Sequence, residues 1–289
     1  MRETFGEKVF YFINNIFLLI IGLVCLYPLI YVASSSFSSV NAISAGKVFL
    51  FPVEPTVAAY KAVFAESDIW VGYANAIFYT VVGTLISLAL TITAAYPLSK
   101  KGLKGKGIVT FMMVFTMWFN AGTVPVYLNF VDLGLLNTRT GVLLSQACAG
   151  TYVVIMRSFF QSIPDSLEEA ARIDGAGHFR ILWTMYLPLS KAAIATVALM
   201  YAIARWNGYF WPMLLLSSAT DLHPLQVVLK RMLLEITTSL TQGGDTFTNY
   251  SVKMMTYAII MVSIVPMLLV YPFIQKYFAK GIMIGSVKG

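Results

Sequence analysis

The sequence predicts an all-α integral membrane protein with six transmembrane helices, and three observations carry that prediction. Hydrophobic residues make up 58% of the 289 residues and charged residues only 11%, against roughly 25% charged in a water-facing domain. Six apolar stretches reach the length of about 20 residues that a helix needs to cross the hydrocarbon. Most are apolar on all sides and too long for strands, which favours helices over a barrel. A soluble enzyme and a disordered chain are excluded.

The first stretch, 9–33, follows Arg2 and Lys8. It is far longer than the roughly 7–15 apolar residues of a signal peptide, so it is read as a retained anchor. A connection over 34–71 contains Pro52, Pro55 and a segment from Thr56 to Phe64 that suits a short amphipathic helix. Stretches 72–98 and 108–128 flank a basic turn, Gly102-Leu-Lys-Gly-Lys-Gly. Stretch 140–160 leads into a polar segment, 162–188, and then to stretch 191–216. The next connection, 217–253, carries Leu225, Val228, Leu229, Met232 and Leu233 at helical spacing. The last stretch, 254–278, precedes a short tail. The organisation expected is an anchor and outer loop over 1–70, a transmembrane core over 71–280, and a tail over 281–289.

Basic residues set the orientation. With six spans both ends share one side, which then holds thirteen Lys and Arg against six on the other, Arg205 lying within a span. Cytoplasmic loops collect Lys and Arg, so both termini are expected in the cytoplasm. The net charge of +7 is thereby a matter of topology, with no nucleic-acid partner implied.

Catalytic constellations are missing from the sequence. His178 and His223 fall on opposite sides of the membrane, so no metal cluster is expected. The basic turn at Gly102 lacks the spacing and terminal hydroxyl of a phosphate-binding loop. The chain offers no means of hydrolysing ATP by itself, and any energy must come from elsewhere.

The segment from Ser162 to Pro188 is the most informative. Pro164 favours a helix start, with Asp165 or Ser166 as cap and Glu168 or Glu169 three residues on. Glu168 and Arg172 stand at i, i+4. Asp174-Gly175 then breaks the helix, and a second short helix runs through Phe179, Ile181, Leu182 and Trp183 to Pro188. Glu169, Ala170, Ala171, Gly175, Leu187 and Pro188 fit the pattern EAA-x3-G-x9-I-x-L-P, with Met185 where the pattern has Ile. The chain thereby resembles the permeases of binding-protein-dependent type I ABC importers. Asn75, Gly122, Pro125-Val-Tyr, Trp206-Asn207 and the Lys280–Gly289 tail are similar to the carbohydrate branch, with its smaller maltose-type and oligosaccharide permeases.

That resemblance implies a heterodimer with a second permease, in a bacterial cytoplasmic membrane. It implies two ATPase subunits that hold the ATP and Mg, none being bound by this chain, and an extracytoplasmic binding protein delivering an oligosaccharide. Residues 162–188 become coupling helices that dock on an ATPase subunit. A sugar path needs hydrogen-bonding groups and flat apolar faces, and Asn75, Trp118, Asn120, Arg205, Trp206, Asn207 and Tyr209 are the candidates. Interfacial anchoring is the alternative for the aromatics. Arg205 lies 14 residues past Lys191, roughly 21 Å along a helix, where an Arg faces the protein interior or a watery cavity. With no acidic residue inside any stretch to pair with it, its compensation is expected from cavity water, backbone carbonyls, a sister subunit or a uronate substrate. The last would make alginate- or pectin-derived oligosaccharides its cargo. The rival reading is an ion-driven secondary transporter, against which stands the lack of buried acidic or His relays.

Overall fold

The structure, a computed structural model, describes residues 4–241 and 253–269. The tail 281–289 and the end of the last apolar stretch lie outside the described residues. Those described are helical, with no strand among them. Helices α1 (Phe5–Ser36) and α4 (Ser67–Ser99) are each long and apolar enough to cross a membrane. Between them sit two short helices, α2 (Val40–Ser44) and α3 (Ala58–Ala65). The expected amphipathic helix after Thr56 is therefore present.

The next three predicted spans are broken. Helices α5 (Lys106–Trp118) and α6 (Thr123–Asp132) meet at 115°, and α7 (Arg139–Ser145) and α8 (Gly150–Gln161) at 59°. The polar segment supplies α9 (Asp165–Ile173) and α10 (His178–Leu189). A turn of 82° joins α10 to α11 (Lys191–Asn207), and stretch 191–216 then breaks again before α12 (Phe210–Leu215). Helix α13 (Leu225–Thr241) carries the striped sequence, with Leu225, Val228, Leu229 and Met232 buried. Helix α14 (Lys253–Leu269) begins the last stretch. Counting each bent pair once, the described residues give up to five spans; the sixth expected stretch begins with α14 and runs on beyond the described residues.

Local chemistry explains the breaks. Gly122 sits at φ 88°, a region closed to most side chains, and Asn120 Oδ1 accepts from its N–H at 2.9 Å. That Asx turn ends α5 and redirects the chain into α6. In α10 the residues Leu182–Tyr186 form a π turn. Pro188 has no N–H to offer the Thr184 carbonyl, and a π turn before it relieves the clash a regular helix would meet.

Two compact units arise. Of the described residues, the first contains those up to Ile69 and those between Leu229 and Met267; the second contains Trp70–Val228 with Leu268 and Leu269. In the first, a serine-rich corner closes α1: Ser34 Oγ donates to the Leu50 carbonyl at 2.6 Å and Ser36 Oγ bonds Tyr60 OH at 2.8 Å. The rest of α1 buries nothing. In the second, α4, α8, α10 and α11 share a core that includes Tyr96, Met156, Phe160, Ile181, Tyr186 and Val197. Every residue of the EAA-like pattern and every path candidate lies in this second unit.

Candidate functional site

The polar segment folds around a buried carboxylate. Glu168 is 8% exposed. It receives Lys100 Nζ at 2.5 Å, Tyr186 OH at 2.7 Å and Arg172 Nη2 at 2.8 Å. Lys100 follows the last residue of α4, while Tyr186 belongs to α10, so one carboxylate ties α4, α9 and α10 together. The Lys100 ammonium also lies over the Tyr96 and Tyr186 rings, 4.0 and 3.8 Å from their centroids. Burial pushes the Glu168 carboxyl up, but the hydrogen bonds from Lys100, Tyr186 and Arg172 outweigh it and bring it to about 2. Burial raises the Tyr186 hydroxyl, helped by its hydrogen bond to Glu168. Burial also lowers the Lys100 ammonium, more than its pairing with Glu168 raises it.

The expected i, i+4 pair of Glu168 and Arg172 is thus found. The expected capping box is not: Pro164 occupies the cap position and no side chain caps α9. With Glu168 turned inward, it is unavailable to the helix N-terminus. Gly175, at φ 79°, makes the turn between α9 and α10. The outer surface is the opposite of the inner. Glu169, Ala170, Gly175 and Pro188 are exposed, and so are Ile173 at 86%, Phe179 at 76% and Trp183 at 64%. Phe179 and Trp183 stack at 6.1 Å. An apolar, partly charged face of this kind marks a docking surface. Ala171 and Leu187 are half-buried and pack against the shared core.

Arg205 has its partners in this chain. Its guanidinium Nη2 donates to Ser87 Oγ at 2.9 Å and to the carbonyls of Gln146 at 3.0 Å and Leu143 at 3.1 Å. Those carbonyls are orphaned where α7 stops, and a cation at a helix C-terminus suits both the carbonyls and the dipole. Gly83 makes room: a Cβ there would lie 2.4 Å from Arg205 Cζ. Of the sources of compensation open in the sequence, backbone carbonyls are the one observed. Asn75 is likewise occupied, donating to the carbonyls of Asp221 at 2.8 Å and His223 at 3.2 Å and accepting from Arg139 at 3.2 Å. Trp206 is buried.

The remaining path candidates are exposed and sit at the breaks: Trp118 at 88% and Asn120 between α5 and α6, Asn207 and Tyr209 between α11 and α12. The breaks adjoin one another. A Cβ on Gly150 would meet Met117 Cγ at 2.9 Å, and one on Gly208 would meet Gln146 Nε2 at 3.1 Å. Broken helices that converge within a membrane are the usual setting of a transport site.

Comparison with known proteins gives the assignment. The family model described as "binding-protein-dependent transport system inner membrane component" matches residues 2–284. The chain belongs to that family. The family reading takes precedence over the ion-driven alternative. It makes the chain a multi-pass component of the inner membrane that serves transport. The chain is 39% identical to Protein LplC of Bacillus subtilis (strain 168) over 295 residues, covering 100% of this chain and 98% of that protein. It is also 39% identical to the polygalacturonan/rhamnogalacturonan transport system permease protein YtcP of the same organism, covering 94% and 96%. A crystal structure of a bacterial ABC transporter involved in import of the acidic polysaccharide alginate contains a chain 45% identical, with TM-score 0.87 over 96% of this chain and 99% of that one.

Two outcomes are expected from the clamp and the carboxylate. Gly83→Val should drive the Arg205 guanidinium off its carbonyls, lowering stability by about 1–3 kcal/mol, read as a lower thermal midpoint of the purified complex. Glu168→Gln removes the charge that pairs with the half-buried Lys100 ammonium, a loss of about 1–3 kcal/mol. Because the folded carboxyl titrates at about 2, below its ordinary 4.5, its stabilisation is complete above pH 4.5 and fades only as pH falls towards 2. The gap in thermal midpoint between wild type and Glu168→Gln should stay constant from pH 8 to 5 and close below that.

Proposed function

We propose that this chain is one of two permease subunits of an ATP-driven importer that carries oligosaccharides, uronate-rich ones included, into the cytoplasm. The observation that carries this reading is the 45% identity, over nearly the whole of both chains, to a subunit of an alginate importer. The 39% identity to a polygalacturonan/rhamnogalacturonan permease points the same way. A second permease completes the membrane path, a binding protein delivers cargo, and two ATPase subunits hold the ATP and Mg. The chain contributes passage, not catalysis.

The mechanism follows from the two constellations. Both termini and the α9–α10 segment face the cytoplasm, where Ile173, Phe179, Trp183 and Glu169 meet an ATPase subunit. Closure of the ATPase pair on ATP moves that segment. Glu168 passes the movement on, since it is bonded both to α10 and to the end of α4. Helix α4 carries Ser87 and Gly83, which hold Arg205 on α11. A shift of α4 therefore bears on the breaks of α7–α8 and α11–α12, where Asn207 and Tyr209 are exposed. Their amide and ring suit sugar hydroxyls and pyranose faces. Arg205 serves as the clamp of the breaks, and Trp118 and Asn120 extend the polar and aromatic lining.

Reconstitution with the sister permease, ATPase and binding protein tests this. Uptake of uronate oligosaccharides should require ATP; uptake without ATP, or uptake of neutral sugars alone, would overturn the respective half of the reading. Arg205→Gln should reduce uronate and neutral cargo alike, because its guanidinium supports the path and does not read charge. Gly175→Val has open space for its side chain but a backbone angle that costs about 1–2 kcal/mol for a residue with a Cβ. It should leave the subunit in the membrane while ATP hydrolysis no longer drives uptake.

A further inference from the structure

An open-sided cavity of about 580 Å³ lies at the start of α5, against the flank of α8. Three of its lining side chains are cationic, Lys101, Lys106 and Arg157, and no carboxylate lines it. Lys101 is paired outside it with Asp165, in the first turn of α9. Among the described residues the other two have only neutral partners: Lys106 Nζ donates to the Lys100 carbonyl at 2.9 Å, and Arg157 Nη1 to Thr110 Oγ1 at 3.3 Å. The first turn of α5 adds to the same field, since it holds no acidic residue and no side chain caps it. The cavity is therefore built for an anion.

Its other walls say which kind. Leu103, Phe111 and Val114 line it as well, and a free ion makes no use of them. Helix α5 buries none of its residues. Above the cavity Phe111, Phe115 and Phe119 stack in series at 6.3 and 5.3 Å, an apolar track that leads away from the cations along the helix. A phosphate among the cations with a hydrocarbon chain on that track satisfies both halves. We propose that this cavity binds an anionic glycerophospholipid, its phosphate held by Lys106 and Arg157 and an acyl chain lying along the Phe111–Phe119 face of α5. Basic pockets between spanning helices bind lipid head groups on this principle. The head group reaches Lys101 too and competes with Asp165 for it, so occupancy bears on α9.

The inference rests on the reading that α5 and α8 lie in a bilayer, and its test is separable from that reading. The complete complex is purified, stripped of lipid, and offered phosphatidylglycerol, phosphatidylcholine or inorganic phosphate, with retained adducts read by native mass spectrometry. Uptake by the same preparation reports on the transport reading alone. Phosphatidylglycerol should be retained over phosphatidylcholine. Lys106→Gln with Arg157→Gln should weaken that retention roughly fivefold per cation, about thirtyfold for the pair, and Lys106→Arg should restore its share. Phe111→Asn should weaken retention of the lipid without altering any effect of phosphate. Should the double variant fail to assemble, Lys106→Gln alone carries the test, with a fivefold loss expected. Equal retention of the two lipids, unchanged retention in the charge variants, or displacement by millimolar phosphate would each overturn the proposal, the last by showing a bare anion site.

Discussion

A helix broken inside a membrane leaves backbone carbonyls and N–H groups without partners, and hydrocarbon supplies none. The second unit is organised by that constraint. Several of its polar side chains within the apolar stretches bond the backbone at a break. Arg205 and Ser87 bind the carbonyls where α7 stops. Tyr201 OH accepts from the Ala149 N–H at 3.1 Å and bonds Thr91 at 2.7 Å, which anchors the start of α8 to both α4 and α11. Asn137 Oδ1 accepts from the N–H groups of Ser218 and Ala219, closing the chain beyond α12. The α7–α8 break thus has named partners on two neighbouring helices, α4 and α11. The partners in turn fix how α4, α7–α8 and α11 meet.

The same economy operates at the other end of α4. A carboxylate in a core costs several kcal/mol unless paired and bonded, and Glu168 accepts three donors. The result is a rigid junction of α4, α9 and α10, with an apolar outer face left unpaired. Rigidity inside and exposure outside suit the docking role proposed for this segment.

Much of this was legible in the sequence. The helical nature of the apolar stretches followed from their length, and the helices after Thr56 and at Leu225 followed from periodicity. The turn at Gly175 followed from Asp174-Gly175. The breaks were not legible, because apolar composition continues through them; Gly122 and Asn120 were the local signs, and both also occur in unbroken spans. Glu168 was read as the i, i+4 partner of Arg172 and a candidate for the capping box. Its inward role needs Lys100 and Tyr186, which are 68 and 18 residues away, and no periodicity connects residues so far apart. The opposite charges of Lys100 and Glu168, on two loops of the same predicted side, were the signal available.

Arg205 shows how one constraint separates structure from recognition. An Arg in a span is costly enough to suggest a functional partner, and a uronate was an attractive one. A broken helix supplies an alternative that is always present, whereas substrate is not. With Arg205 held by carbonyls, the path candidates exposed at the breaks between α5 and α6 and between α11 and α12 are Trp118, Asn120, Asn207 and Tyr209, all of them neutral. Such groups recognise hydroxyls and ring faces, which acidic and neutral sugars share. In the proposed path, discrimination by charge therefore falls to components that meet the sugar before or beside this chain.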